Sequence, residues 1–181
     1  MEKVKEVPYG VADFVTVMEQ NLYYVDKTMF IPELEKQPRN LFFIRPRRFG
    51  KSTFLSMLHS YYDCNQSAKF QSLFGNLWIG QHPTELQGRY QVLFLDFSQV
   101  SGNIDSLERN FDFYCSVKLD GFMRRYGEAY SEETREKVRK AEYAIDKLAF
   151  IHDEAAQKGF DAIRKILFDS DGNRRTYELV G

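Results

Sequence analysis

The sequence is short of cysteine and histidine, carries almost no net charge and has no long apolar run, and each shortfall excludes something. Its two cysteines, Cys64 and Cys115, sit in apolar surroundings without metal-ligand spacing, which argues against a disulfide framework and for buried free thiols. The three histidines, His59, His82 and His152, are scattered and have no partner at ligand spacing, so no structural metal centre is expected. No segment approaches the ~18 consecutive apolar residues of a membrane span. The opening MEKVKEVPYG lacks the apolar core of a signal peptide, and together these features lead to the expectation of a cytoplasmic protein without a membrane partner. With 25 basic and 26 acidic residues the formal charge is -1, so no global field drives the chain onto nucleic acid. There is no internal repeat and no low-complexity linker.

What is present is core-forming material: 43% of the residues are apolar, with 16 Phe and 11 Tyr among the 181. That length suits a single domain on the usual ~100–200 residues per domain. The basic charge is also uneven, because Arg39, Arg45, Arg47, Arg48 and Lys51 cluster in one locality. Any anion-binding role belongs there.

Along the chain, Phe14, Val17 and Met18 have helical spacing, as do Phe30, Ile31 and Leu34, with the β-prone run Leu22–Val25 between them. Leu41-Phe42-Phe43-Ile44 and Val92-Leu93-Phe94-Leu95 are continuous apolar runs, which predict neighbouring strands of one parallel sheet at residues 41–44 and 91–97. Helices are expected over 51–63, 104–126 and 131–158, the last capped by Ser131 and stopped at Gly159. Asp171-Gly172 predicts a turn between two short strands in the tail. The resulting expectation is an α/β layered fold with a mainly parallel sheet, incomplete at its C-terminus. Residues 1–40 flank the core, 41–160 form it, and 161–181 are a divergent tail.

The stretch FFIRPRRFGKST at 42–53 carries the chemistry. A phosphate-binding loop needs a strand, a tight turn and a helix N-terminus whose amides and dipole meet an anion. Its signature ends Gly-Lys-Ser/Thr, and here Gly50, Lys51 and Ser52 supply that ending. Gly50 permits close backbone approach, Lys51 reaches the β/γ-phosphates and Ser52 binds Mg²⁺, while Thr53 sits one residue too late for the metal. The signature's first glycine is replaced by Arg45, with Pro46 shaping the turn, Arg47 or Arg48 reaching toward phosphate, and Phe49 completing the loop. Asp96, ending the second apolar run, is a candidate catalytic carboxylate acting on Mg²⁺ through water, or a structural residue at the sheet edge. Asp169 is read as part of the tail's turn.

YGVADF (9–14), YYVDKT (23–28) and IRPRRFGKST (44–53), with SLFGNLWI (72–79) and YQVLFLDFS (90–98), together resemble the predicted AAA-ATPase-like family. The resemblance covers about residues 5–158. It implies an ATP-binding P-loop NTPase fold with ATP and Mg²⁺ as cofactors, and an Arg-Pro-Arg-Arg-Phe-Gly-Lys-Ser loop in which Arg45 is a family trait. It also makes Tyr9, Gly10, Tyr24, Asp26, Lys27 and Thr28 candidate neighbours of the nucleotide, although turn and capping roles explain them equally well. Members are common in gut Bacteroidetes and often carry a C-terminal PD-(D/E)XK nuclease-type domain. The family's later acidic motif, apolar residues followed by Asp-Glu-Tyr-Asp, does not occur here, which marks a short, truncated or diverged member. ATP binding with doubtful hydrolysis is the expected function. The alternatives are a nucleotide-gated module contacting a protein partner, or nucleic-acid binding through the arginine loop, which the near-neutral charge disfavours. No signal for an oligomeric state is legible.

Overall fold

The computed structural model describes residues 4–37, 40–44, 46, 49–158 and 165–167. The chain divides into two units, one running up to Tyr90 and including the later segment 165–167, the other beginning at Gln91.

The first unit is assembled from short helices: α1 (Phe14–Glu19), α2 (Ile31–Glu35, entered through a 3-10 turn at Thr28–Phe30), α3 (Lys51–Tyr62), α4 (Phe70–Phe74) and α5 (Trp78–Gln81). Its core is aromatic. Phe14, Ile31, Phe54, Met57, Leu58, Tyr61, Leu73, Phe74 and Ile79 are all buried. Phe74 stacks on Phe14 at 5.0 Å between centroids and receives the edge of Tyr61 at 5.5 Å, the offset geometries aromatic rings prefer. The spacing of Phe54, Met57, Leu58 and Tyr61 gives α3 one continuous buried face, as i, i+3, i+4, i+7 requires. After α3 the chain returns on itself, with Tyr90 bridging Asp63 and exchanging backbone bonds with Tyr62 and Cys64.

The second unit holds α6 (Ile104–Tyr126), α7 (Glu132–Lys140) and α8 (Ala144–Gln157), with α8 packed against both others. Asn103 caps α6 through the amide of Ser106 at 3.1 Å. Ser131 caps α7 through that of Thr134 at 3.2 Å, and Glu132 and Glu133 in the first turn face Lys137, Arg139 and Lys140 in the last, matching the helix dipole.

The layered α/β fold is not what forms. The described residues are predominantly helical, and the strand pairing is one ladder of β1 (Asn40–Phe42) with β2 (Lys165–Leu167), in parallel register Asn40 to Lys165 through Phe42 to Leu167. Residues 91–97 contribute no strand. Side chains of α6 meet their backbone groups instead: the Tyr126 hydroxyl accepts from the Val92 amide at 3.2 Å, the Tyr114 hydroxyl accepts from that of Asp96 at 2.6 Å, and Arg125 donates to the Val92 carbonyl. A backbone satisfied in this way has no need of a neighbouring strand. Phe94 remains 37% exposed, so the run is not buried on both faces as a parallel-sheet strand must be. Residues 22–25 likewise form no ladder, with Tyr23 and Val25 exposed.

The helix expected over 131–158 is two helices, broken at Ala141–Tyr143. Ala141 and Tyr143 are extended, and the Ala144 amide that opens α8 is captured by Asp112 of α6 at 2.8 Å. The stop at Gly159, the turn at Asp171-Gly172 and Asp169 lie outside the described residues. The cysteines are free, each half-buried, with burial the leading cause of a raised thiol pKa at both.

Candidate functional site

The loop between β1 and α3 is held at both ends by rings. Phe43, just past β1, stacks on Phe54 in the first turn of α3 at 5.3 Å, so the chain leaves and re-enters the core at one place. Between them Ile44, Pro46 and Phe49 face solvent. Arg45, Arg47 and Arg48 lie outside the described residues.

Gly50 precedes α3 with φ +71, in the left-handed region that side-chain-bearing residues seldom adopt, and it caps the helix without a side-chain bond. Its carbonyl accepts the Phe54 amide at 2.9 Å, which starts the helix. The amides of Lys51, Ser52 and Thr53 therefore belong to the first turn, where no intrahelical acceptor exists. That turn carries no acidic side chain, so the dipole's positive end is uncompensated from within the helix. Lys51 folds back across the loop, its Nζ donating to the Pro46 carbonyl at 3.3 Å. The Ser52 side chain faces solvent and that of Thr53 is half-buried.

A second lysine meets the same loop. The Lys27 Nζ donates to the Phe49 carbonyl at 3.3 Å and lies 3.4 Å from where a Cβ on Gly50 would stand. Its neighbours fix it there. Asp26 accepts from the Thr28 amide and hydroxyl through Oδ1, at 2.8 and 2.7 Å, and from the Trp78 amide through Oδ2 at 2.7 Å. The fully buried Thr28 hydroxyl in turn accepts from the Ile79 amide at 3.1 Å. Asp26 and Thr28 thus secure this connection to α5. Tyr24 lies against Phe14, edge to face at 5.3 Å, and burial is the main reason its phenol is held far above its usual pKa.

Below the loop, Ser56 ties α3 to α1. Its hydroxyl accepts from the Phe14 amide at 2.9 Å and donates to Asp13 at 3.0 Å. Burial pulls the Asp13 pKa up, but hydrogen bonds from Thr16 and Ser56 outweigh it and leave the carboxyl below its ordinary value. Tyr9 is almost wholly exposed beside Gly10 in a turn.

Asp96 belongs to the second unit. It caps a 3-10 turn at Phe97–Gln99, accepting from the Ser98 amide at 3.1 Å and hydroxyl at 2.6 Å, and from the Gln99 amide group at 3.3 Å. The Ser98 hydroxyl bond is the leading cause of its lowered pKa. Of the expected site residues, the structure joins Pro46, Phe49, Gly50, Lys51, Ser52 and Thr53 in one loop and helix start. Lys27 enters from 22 residues away, with no spacing signal to announce its place at the loop. Asp13 was not singled out in the sequence; its place as the polar residue before an apolar helix could have shown the cap, but nothing local could have shown its bond to Ser56.

Among the described residues no cluster of three or more His, Cys, Asp or Glu could hold a metal ion, and no helix is long and apolar enough to cross a membrane. The family model described as Predicted AAA-ATPase matches residues 8–163. A curated protein from Azotobacter chroococcum mcd 1, described as an uncharacterized protein in the vnfD 5' region, is 43% identical over 63 residues. That stretch is 34% of this chain and 12% of the relative, so the chain matches only a small part of it. No solved structure matches.

Proposed function

The chain belongs to the predicted AAA-ATPase family, and from that premise we propose that it binds ATP together with Mg²⁺ on residues 46–53. The observation that carries this reading is Gly50 at φ +71, immediately ahead of Lys51 and Ser52 on the first turn of α3. A glycine in that conformation lets the chain turn sharply into a helix while keeping the first amides open to an anion. Lys51 contributes an ammonium at the same turn, suited to the β/γ-phosphates. Arg45, Arg47 and Arg48 are assigned to the same anion by sequence position.

The donor set also fits Mg²⁺ brought in with the nucleotide. A hard cation takes oxygen ligands, and Mg²⁺ keeps several waters and substrate phosphates rather than a protein cage. The Ser52 hydroxyl, exposed on the first turn, would be its protein ligand. The ion would neutralise phosphate charge, while the chain's own residues bind and orient the phosphates.

Calorimetric titration with Mg-ATP tests the reading. Lys51→Ala is expected to weaken binding by ~1.5–3 kcal/mol, the scale of hydrogen bonds to charged groups. Equal affinity of the two proteins would move the site away from this loop.

A further inference from the structure

Among the described residues, Lys27 bonds to the loop from outside the phosphate-loop signature. Its backbone is pinned on the far side by Asp26 and Thr28, whose bonds to Trp78 and Ile79 span about fifty residues of sequence. That fixing places a half-buried lysine with its ammonium beside Phe49 and Gly50. A single solvent-exposed bond from a lysine to a carbonyl adds little to stability, so the arrangement is elaborate for a structural tie. An ammonium has three N–H donors, and among the described residues the Phe49 carbonyl takes one of them.

Lys27 and Lys51 touch opposite ends of the same loop. Lys51 reaches back to the Pro46 carbonyl and Lys27 comes in at the Phe49 carbonyl, each at 3.3 Å. A monophosphate can be served by helix amides and one cation. A triphosphate brings further charge beyond the reach of those amides, and a second ammonium at the loop's rim offsets it. We infer that Lys27 is a further phosphate-binding cation of this site, from outside the loop, and that it favours nucleoside triphosphates over monophosphates. The inference rests on the loop being the nucleotide site proposed above.

The test is calorimetry on the full chain with Mg-ATP and with AMP, comparing wild type, Lys51→Ala, Lys27→Met and Lys27→Arg, with thermal melts recorded for each. Methionine keeps the apolar stem and removes the charge; Lys27→Gln replaces it if that variant melts below the assay temperature. Lys27→Met is expected to lose about tenfold in ATP affinity, roughly one hydrogen bond to a charged group. AMP affinity should stay within about twofold of wild type, and Lys27→Arg should recover most of the ATP loss. A merely structural lysine would lower both affinities together and track the melting temperature, and that result overturns the inference. If Lys51→Ala weakens ATP binding and Lys27→Met does not, the inference falls alone. If wild type binds no nucleotide, it falls together with the proposed site.

Discussion

Gly50 makes the sharpest conformational demand at the candidate site. At φ +71 an alanine sits in the left-handed region, which costs an L-residue about 1–2 kcal/mol. The new Cβ would also stand 3.4 Å from the Lys27 ammonium, ordinary contact, so backbone strain and not collision is the issue. Gly50→Ala is therefore expected to lower stability by about 1 kcal/mol in chemical denaturation and to weaken Mg-ATP binding in the same preparation. Unchanged values for both would mean that the turn relaxes freely. Glu154 poses a different residue-scale question. Lys158, foremost, then Thr134 and Ser131, outweigh the cost of its burial and hold its carboxyl down to about 2, from an ordinary 4.5. It accepts both the amide and the hydroxyl of Ser131, at 2.8 Å each, so the charged form fastens α8 to the start of α7. A folded pKa below the unfolded one stabilises fully above about 4.5 and ceases to do so as pH falls toward 2. The melting temperature should decline across that window, and Glu154→Gln should flatten part of the decline. Parallel curves for the two proteins would remove Glu154 from the acid response.

At the scale of elements, the break between α7 and α8 shows how a contact distant in sequence ends one helix and begins another. Ala141, Glu142 and Tyr143 contain no proline or glycine, and local propensity alone would carry the helix through. Asp112 of α6 offers the Ala144 amide an acceptor only if α8 starts there, and Tyr143 supplies no cap of its own. Nearby, the half-exposed Asp120 pairs with the buried Lys147 ammonium at 2.7 Å, seating the same helix on α6. Asp112→Ala is expected to cost about 1–2 kcal/mol by stranding a part-buried amide, read as a shift in the denaturation midpoint. No shift would make the break a property of residues 141–143 themselves. The residues of 91–96 illustrate the same rule in the opposite sense. Tyrosines and an arginine of α6 occupy backbone groups that a sheet would otherwise have claimed.

For the molecule as a whole the open matter is turnover. Phosphoryl transfer depends on positioning and on electrostatic stabilisation of the transferring group. In the proposed site Lys51, Ser52 and Mg²⁺ would hold the phosphates, but a carboxylate is also needed to order the metal's shell and the attacking water. Asp96 has its oxygens engaged by Ser98 and Gln99 within its own turn, and the sequence contains no Asp-Glu-Tyr-Asp run, the acidic motif that the resemblance implied. Phosphate release by the purified chain is accordingly expected to equal that of a Lys51→Ala control. A clear excess that disappears in Asp96→Asn would make Asp96 a catalytic residue.

Much of the local structure was determined by sequence alone. Apolar periodicity located α1, α3 and α6, because an amphipathic stripe depends only on residue order. Asn103 and Ser131 are capping residues that act within their own first turn, and the Ser131 cap was legible for that reason. The Gly-Lys-Ser ending marked where the chain turns into α3, since a glycine before a helix start acts locally, and the structure puts that glycine in the left-handed region. Tertiary structure decided the rest. A continuous apolar run such as Val92–Leu95 is compatible with strand or irregular chain, and the partners of its amides chose between them. The same holds for Lys27, whose place at the loop depends on Asp26 and Thr28 finding α5 across the fold. Sequence specifies what each backbone group and charge requires; which partner meets that requirement is settled only when distant segments pack.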